Sequence, residues 1–347
     1  MVKGFLKFLQ RSISYILWLL LDPAKFKRIE RKRIKKVLVI NLGFIGDLLA
    51  TTPMIAALKK NLECKICVLV RKGMEDVFID NRNVDKILVY KGSFNEDLSA
   101  IRKEKFDLAA IVWPASLRIS LLCLFARIPY RIGTTQTGLL EGKGYLLTRK
   151  VKPSFHVKHK VQENLDIARL VGADLRKPRI EFYFSKKDAA SVNRFLKKNK
   201  VRKFIVLHPG KRGKFYAEYS WPLENFAAVA NFLIEKHNLS IVITGSREEE
   251  KIAKELFSRI KKKDKVAVAS GKLTLKEFAA LLKKAELLIS IDTAAVHIAS
   301  AFNVPIIALN VKYPKIWHPY MRKERYKILI SPSVKEVINS ASIFFKK

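Results

Sequence analysis

The stretch KKVLVINLGFIGDLLATTPMIAALKKNL, residues 35–62, decides the fold. It begins with the apolar run Val37–Ile40, which is typical of a buried parallel strand. A glycine-bearing turn follows and ends at Asp47, after which an amphipathic pattern predicts a helix. Open α/β sheets bind their ligands at the carboxyl ends of strands. The stretch therefore predicts an α/β unit with Asp47 at a ligand-binding position.

The same alternation of apolar runs and helical patterns continues along the chain and predicts doubly wound parallel sheets. A length of 347 residues suits two domains. We predict a segment over residues 1–35, an N-terminal Rossmann-like domain over 36–180 and a second over 181–330. The polar, glycine-rich stretch Thr134–Pro153 is predicted to be a mobile loop. A last helix, within residues 331–347, is expected and could cross back to the first domain.

The charge of the chain is its unusual bulk property. Lys and Arg number 68 against 31 Asp and Glu, a formal net charge of +37. Such a field attracts polyanions, which include nucleic acid, an anionic membrane surface and phosphorylated substrates. A solvated Lys-rich surface is the alternative. No nucleic-acid-binding motif accompanies the charge, and aromatic residues are not interleaved through the basic runs, so no nucleic-acid partner is expected. A basic nucleic-acid-binding protein stays an alternative that the charge alone supports.

The N-terminal segment combines an apolar run with a basic one. Ile13–Leu21 is apolar but shorter than the roughly 20 residues that span a bilayer. The basic run KFKRIERKRIKK, residues 25–36, follows it. This combination is typical of a helix lying in the plane of an anionic membrane surface. The alternative is a helix that packs on the protein's own surface.

The three cysteines do not form a disulfide framework. Cys64 and Cys67 form a CxxC pair, but they lie in an apolar run that predicts a strand, and no second pair completes a zinc site. We interpret them, with Cys123, as small core residues of a protein in a reducing compartment.

Four groups of residues at predicted strand ends could carry chemistry. The first is the turn with Gly43, Gly46 and Asp47. It matches neither a dinucleotide-binding fingerprint nor a Walker loop. A carboxylate close to a helix N-terminus can be a cap as readily as a catalyst. The residues alone leave both roles open for Asp47.

The second group follows the strand that ends near His208. It contains Gly210, Lys211, Arg212 and Lys214. Glycines let the backbone approach a ligand, and the cations offset anionic oxygens, so the loop is a candidate phosphate clamp. A charged surface loop in a basic protein is the alternative.

The third group is Gly245 with Glu248 and Glu249. A glycine at a strand end allows close approach of a ligand, and a nearby acid can hydrogen-bond ribose hydroxyls. The alternative is that these acids balance the macrodipole at the start of a helix.

The fourth group is Asp292, Thr293, Ala294 and His297. Here a strand ends and a helix begins, with Asp or Thr as the cap, so free N–H groups face a ligand such as a diphosphate. His297 lies within the first turns and could reach the same anion. A capping Asp with a core-facing His is the alternative.

None of these groups requires a metal ion. The chain contains no Asp-x-Asp, the pattern with which many sugar-nucleotide enzymes hold a divalent ion on the diphosphate. In a sugar-nucleotide enzyme without such an ion, helix N-termini and cations would have to stabilise the departing diphosphate. We expect neither a metal nor another cofactor.

Taken together, three stretches resemble glycosyltransferase family nine, the heptosyltransferases. They are VLVINLGFIGDLLATTPMIAALKK (37–60), LHPGKRGKFYAEYSWPLENFAAVANFL (207–233) and SGKLTLKEFAALLKKAELLISIDTAAVHIASAFNVPIIALN (270–310). The resemblance implies the GT-B fold, with two facing Rossmann-like domains and a cleft between them. It implies an acceptor on the N-terminal half and a nucleotide sugar on the C-terminal half.

The resemblance also implies an activity and roles for residues. The activity is inverting, metal-independent transfer of a heptose from ADP-heptose to the inner core of lipopolysaccharide. Asp47 matches the general base. Asp292, Thr293 and His297 match the motif at the donor diphosphate, and Glu248 or Glu249 matches the ribose contact.

Two positions depart from the family pattern. Ala294 stands where the family usually has Gly, and Tyr219 stands where it often has a phosphate-binding Lys. Lys211, Arg212 or Lys214 is expected to supply the missing charge. The departures leave open a relative that moves another sugar, such as a hexose, to a different cell-surface glycan. A lipid-linked, phosphorylated acceptor would place the enzyme in the cytoplasm, peripheral on the inner face of the cytoplasmic membrane.

Overall fold

The computed structural model describes residues 29–112, 116–135, 144, 146–152, 154, 157–210 and 220–345, with helical positions 9, 12, 13 and 16. The chain divides into two compact units, Met1–Pro178 and Arg179–Lys347. Each unit contains a six-stranded sheet, and every pairing between the described strands is parallel. The predicted α/β class is confirmed. Most of the predicted N-terminal membrane segment lies outside the described residues.

The first unit is built on the predicted opening strand. Its strands are β1 (Lys36–Ile40), β2 (Lys65–Arg71), β3 (Lys86–Tyr90), β4 (Leu108–Ile111), β5 (Tyr130–Thr134) and β6 (Arg149–Val151). The described helices are α1 (Ile45–Leu49), α2 (Thr52–Leu62), α3 (Phe94–Glu104), α4 (Leu117–Phe125) and α5 (Lys160–Arg169). The sheet order β3-β2-β1-β4-β5-β6 places β1 between β2 and β4. This is the doubly wound order of a Rossmann domain.

The second unit repeats that order. Its strands are β7 (Phe204–His208), β8 (Ser240–Ile243), β9 (Val266–Val268), β10 (Leu287–Ile291), β11 (Ile306–Leu309) and β12 (Tyr326–Leu329). The described helices are α6 (Lys186–Lys198), α7 (Leu223–His237), α8 (Glu250–Arg259), α9 (Leu275–Lys284), α10 (Ala294–Ala301), α11 (Pro314–Trp317) and α12 (Val334–Ile343). The sheet order β12-β11-β10-β7-β8-β9 places β7 between β10 and β8.

The central strands are apolar because helices cover both faces of each sheet. Val37–Ile40 is buried, and so is every residue of β7 and β10. Some of the described helices begin at a side-chain cap: at the start of α9 the Thr274 side chain accepts from the backbone N–H of Glu277.

Several elements of the fold were not predicted, among them β6, α6 and β12. The expected loop Thr134–Pro153 contains β6, a three-residue edge strand whose Arg-Lys-Val sequence carries no alternating pattern. The helix α6 buries only Val192 and Leu196 among many charged residues. β12 is a second edge strand and is half exposed. Because edge strands bury little, their apolar pattern is weak.

The C-terminal helix α12 packs in the second unit. Val337 and Ala341 are buried in the same core cluster as residues of α7. The segment before the helix is held by Trp221, whose indole Nε1 donates to the carbonyl of Pro332 at 2.9 Å. The apolar face of this helix is therefore covered within the second unit.

The cysteines are core residues, as predicted. All three are free and buried. Burial raises the pKa of the Cys64 thiol to about 11 and that of the Cys67 thiol to about 12. Both thiols therefore stay protonated at neutral pH and behave as small apolar groups. None of the described helices combines the length and apolar character needed to cross a bilayer.

Candidate active site

The two sheets bring the predicted site residues to equivalent positions. β1 pairs with β2 on one side and β4 on the other, and β7 pairs with β8 and β10. Successive strands are added first on one side of each of these strands and then on the other, so the strand order reverses there and makes each a topological switch point, where open α/β sheets bind ligands. The turn that ends at Asp47 follows β1. Gly210 follows β7, and Asp292 follows β10.

Asp47 lies in the first turn of α1 and caps it. The backbone N–H of Phe44 donates to Asp47 Oδ2 at 3.0 Å. Gly43 is required beside it, because a Cβ there would lie 2.5 Å from the Cβ of Asp47. Gly46 lies inside α1, where its carbonyl accepts from the N–H of Ala50. The capping role left open from the sequence is thus real, and it uses one carboxylate oxygen.

A buried hydrogen-bond network holds the backbone of this turn. Asn41 Nδ2 donates to the carbonyl of Asp47 at 3.1 Å and to Thr51 Oγ1 at 2.7 Å. The Thr51 hydroxyl donates to the same Asp47 carbonyl at 2.8 Å. From α5, Asn164 Nδ2 donates to the carbonyl of Ala50 at 3.0 Å. All three polar side chains are almost fully buried, so their hydrogen bonds are costly to break and the position of Asp47 is well determined.

The electrostatic environment of Asp47 favours its protonated form. Burial raises the pKa of its carboxyl above the ordinary value of 3.8, while the Phe44 N–H and the charges of Lys160 and Arg71 partly oppose this. Lys160 is itself buried and pairs with Glu163 at 2.9 Å. The net upward shift of the pKa makes Asp47 a stronger proton acceptor than an exposed aspartate.

In the second unit, α10 begins beside Asp292. Thr293 is the cap of this helix, with its side chain accepting from the N–H of Ala295 at 3.3 Å and lying 3.1 Å from Ser290 Oγ. Asp292 does not cap it. Asp292 Oδ2 instead accepts from the backbone N–H of Lys312 at 3.3 Å, and burial raises the pKa of Asp292. Ala294, the first residue of α10, is half-buried.

His297 is a neutral side chain. It is 5% exposed, and its ring meets the edge of Trp317 with centroids 5.5 Å apart. Burial, with a smaller contribution from the charge of His318, lowers the pKa of His297 to about 4. At neutral pH the ring can therefore exchange hydrogen bonds with an anion but adds no positive charge.

The remaining candidates of the second unit line other strand ends. Gly210 has φ +70°, and a Cβ there would lie 2.5 Å from Ile291 Cδ1. A Cβ on Gly245 would lie 2.8 Å from the Ser270 hydroxyl oxygen. The two glutamates differ: Glu249 is buried and accepts from the Ser246 N–H at 2.6 Å, whereas Glu248 is exposed.

The predicted phosphate clamp lies outside the described residues. Lys211, Arg212 and Lys214 belong to residues 211–219. The structure also adds residues that the sequence reading missed, namely Arg71, Lys160 and Asn164. Lys160 and Asn164 stand four residues apart in HKVQEN, so a helical projection would have placed them on one face. Nothing in the local sequence indicates which turn that face meets.

His297 predicts a pH dependence of stability. Its pKa is about 4 in the folded protein against 6.5 for an ordinary histidine, so stability present above pH 6.5 is lost as pH falls toward 4. The loss should reach about 3 kcal/mol, because the unfolded chain takes up the proton first. We expect His297→Asn to flatten this part of the profile in urea unfolding series. An unchanged slope would show that His297 titrates normally.

Comparison with protein families places the chain among sugar-transferring enzymes. The profile of "Glycosyltransferase family 9 (heptosyltransferase)" matches residues 98–338. The chain is 25% identical over 211 residues to lipopolysaccharide core heptosyltransferase OpsX of Haemophilus influenzae, which is 60% of this chain and 58% of that protein. It is 25% identical over 297 residues to lipopolysaccharide heptosyltransferase 3 of Escherichia coli, 80% of this chain and 84% of that protein.

Solved structures show the same fold. A glycosyltransferase of family 9 from Veillonella parvula superposes with a TM-score of 0.80 at 19% identity, over 91% of this chain and 98% of that one. ADP-heptose lipopolysaccharide heptosyltransferase II of Escherichia coli gives 0.75 at 18% identity, over 89% and 98%. An Escherichia coli heptosyltransferase solved with ADP gives 0.68 at 17% identity, over the same shares. These neighbours establish the GT-B fold predicted from the sequence.

Proposed function

Because the chain belongs to glycosyltransferase family 9, the heptosyltransferases, and is a glycosyltransferase, we propose that it transfers a heptose from ADP-heptose to the inner core of lipopolysaccharide. The proposed reaction is inverting and independent of metal ions, with Asp47 as the general base. The observation that carries the proposal is the half-buried Asp47 carboxylate at the switch point of the first sheet, with its pKa raised.

The chemistry needs one base on the acceptor side. Asp47 accepts the proton of an acceptor hydroxyl while that oxygen attacks the anomeric carbon of the donor. The bond from the anomeric carbon to the diphosphate oxygen breaks, and the nucleoside diphosphate leaves with the electron pair. A single displacement of this kind inverts the anomeric configuration. The hydrogen bond from the Phe44 N–H holds one oxygen of Asp47 and orients the carboxylate.

The donor diphosphate is assigned to the residues at the start of α10. The helix is eight residues long and is capped by Thr293, so its free N–H groups favour an anion. Neutral His297 can donate one hydrogen bond, while positive charge must come from other groups, for which Lys211, Arg212 and Lys214 are the candidates. The ADP bound to an Escherichia coli heptosyltransferase of the same fold supports an adenosine diphosphate leaving group.

Asp47→Asn tests the base. Asparagine keeps an oxygen that can accept from the Phe44 N–H, so the fold and donor binding should persist, while transfer should fall at least about 10²-fold because the proton acceptor is gone. Turnover with ADP-heptose and a lipopolysaccharide acceptor measures this. The control is Asp264→Asn, which removes an exposed carboxylate of the 3-10 turn Lys263–Lys265. If the Asp47→Asn variant transfers sugar as fast as the Asp264→Asn control, a residue other than Asp47 is the base.

A donor screen tests the substrate. Thermal shifts of the full chain with ADP-heptose should exceed those with ADP-, UDP- and GDP-hexoses, because at equal concentration a ligand that binds the folded state more tightly stabilises it more. The Ala294→Gly variant gives the comparison for the position at which the chain departs from its family. Selective stabilisation by a hexose donor instead would identify the protein as a relative that moves another sugar.

Residues 1–35 are proposed to hold the enzyme peripherally on the inner face of the cytoplasmic membrane. The basic run of residues 25–36 would bind anionic headgroups, and the apolar run before it would enter the interface. Protein lacking residues 1–33 should lose partitioning to vesicles of anionic lipid and keep donor binding, since the fully buried Ile34 and all of β1 remain. Vesicles of neutral lipid are the control. Equal partitioning of the two proteins would refute the anchor.

A further inference from the structure

Beside Asp47, the structure presents a stacked pair of exposed side chains. Phe44 is 66% exposed, which is unusual for a large aromatic residue. The guanidinium carbon of Arg71 lies 5.1 Å from the centre of the Phe44 ring, a cation–π contact. This leaves part of the ring and the edge of the guanidinium open to a ligand.

The fold brings the two residues together from the start of α1 and the end of β2. Phe44 is the N-cap of α1, three residues before Asp47, and its own N–H binds the Asp47 carboxylate. β1 and β2 are in parallel register, with Ile40 opposite Leu69. Arg71 is the last residue of β2 and therefore extends past the end of β1, next to the turn. The pair lies at the carboxyl edge of the first sheet, on the same side as the proposed base.

The charge of Arg71 lowers the pKa of the nearby Asp47 carboxyl, but among the described residues its guanidinium is not held in an ion pair. Within the part of the chain that the structure describes, the backbone carbonyl of Arg71 accepts from the N–H of Met74, while its guanidinium makes neither a hydrogen bond nor an ion pair and has Phe44 as its aromatic contact. Elsewhere in the same unit, surface cations such as Lys59 and Arg169 are paired with carboxylates. An unpaired guanidinium has a fork of donors whose geometry matches a carboxylate or a phosphate.

We propose that Phe44 and Arg71 form an acceptor subsite that selects a sugar bearing an anionic group, a carboxylate or a phosphate, close to the hydroxyl that is glycosylated. The apolar face of the sugar packs on the Phe44 ring, and the anion accepts hydrogen bonds from Arg71. The subsite rests on the proposed function, because it is defined by its place next to Asp47, but it makes a binding prediction that requires no transfer.

Binding of simple sugars to the full chain, measured by NMR titration, tests the subsite. The probes are methyl glucuronide with a carboxylate, glucose 6-phosphate with a phosphate, and neutral methyl glucoside. Arg71→Gln should weaken binding of the anionic probe that fits by about tenfold and leave methyl glucoside unchanged, as expected for loss of a charge-assisted hydrogen bond. The probe with the larger loss identifies which anion the subsite takes.

Two further variants separate the parts of the subsite. Phe44→Ala keeps the backbone N–H that binds Asp47 and should weaken all three probes by a similar factor, about twofold to tenfold, through loss of aromatic contact. Arg127→Gln removes an exposed Arg that precedes the amino end of β5, whereas Arg71 lies at the carboxyl ends of the strands. This variant should leave the affinities of all three probes unchanged. This control measures the general attraction of anions to a chain with a net charge of +37.

Specific outcomes overturn the subsite. Equal losses in Arg71→Gln and Arg127→Gln would show that only the overall charge matters, and wild-type protein without preference for either anionic probe would show that no subsite exists. The result is separate from the test of the base. If Asp47→Asn still transfers sugar, Asp47 is not the base, but the affinities of the three sugar probes are unchanged by that result. If Arg71→Gln leaves the probe affinities unchanged, the subsite is refuted even when the wild-type enzyme transfers sugar.

Discussion

The burial of β1 and β7 between two parallel neighbours is the constraint on which the rest of each unit depends. A strand in that position has helices on both faces and strands on both edges, so nearly all of its side chains must be apolar. Polar chemistry can then appear only where the strand ends. Because the strand order reverses at each of these strands, the connections that leave their ends and those of their neighbours run to opposite sides and leave room for a ligand.

The turn after β1 combines a structural and a chemical role in one side chain. Asp47 caps α1 through the Phe44 N–H, and a fully buried network of Asn41, Thr51 and Asn164 fixes the backbone around it. The cap explains why a carboxylate is tolerated in a half-buried position. Burial in turn raises its pKa, which suits a proton acceptor. Stabilising the helix and presenting a base are therefore compatible uses of the same carboxylate.

The charged groups around Asp47 in the first unit differ from those around the start of α10 in the second. In the first unit the groups around Asp47 include the buried Lys160–Glu163 pair and the unpaired guanidinium of Arg71. In the second unit the histidine closest to the start of α10 is neutral, and Asp292 is bound by a backbone N–H. An anionic leaving group at α10 would thus be met by N–H dipoles and hydrogen bonds, with cations supplied from outside the helix.

The sequence by itself determined the parallel α/β class, the order of the central strands and helices, the buried cysteines and the strand ends at which candidate residues stand. These features follow from local periodicity, and the family resemblance extended them to the GT-B fold and to a glycosyltransferase. The sequence did not reveal the edge strands β6 and β12, because strands that bury little carry little pattern.

Only the tertiary structure decided which of the open roles each residue takes. Thr293 rather than Asp292 caps α10, Glu249 binds a backbone N–H while Glu248 is exposed, and the C-terminal helix packs in the second unit. Arg71, Lys160 and Asn164 join the surroundings of Asp47 from separate elements. Contacts of this kind depend on strand register and helix packing between distant parts of the chain, and no local pattern encodes them.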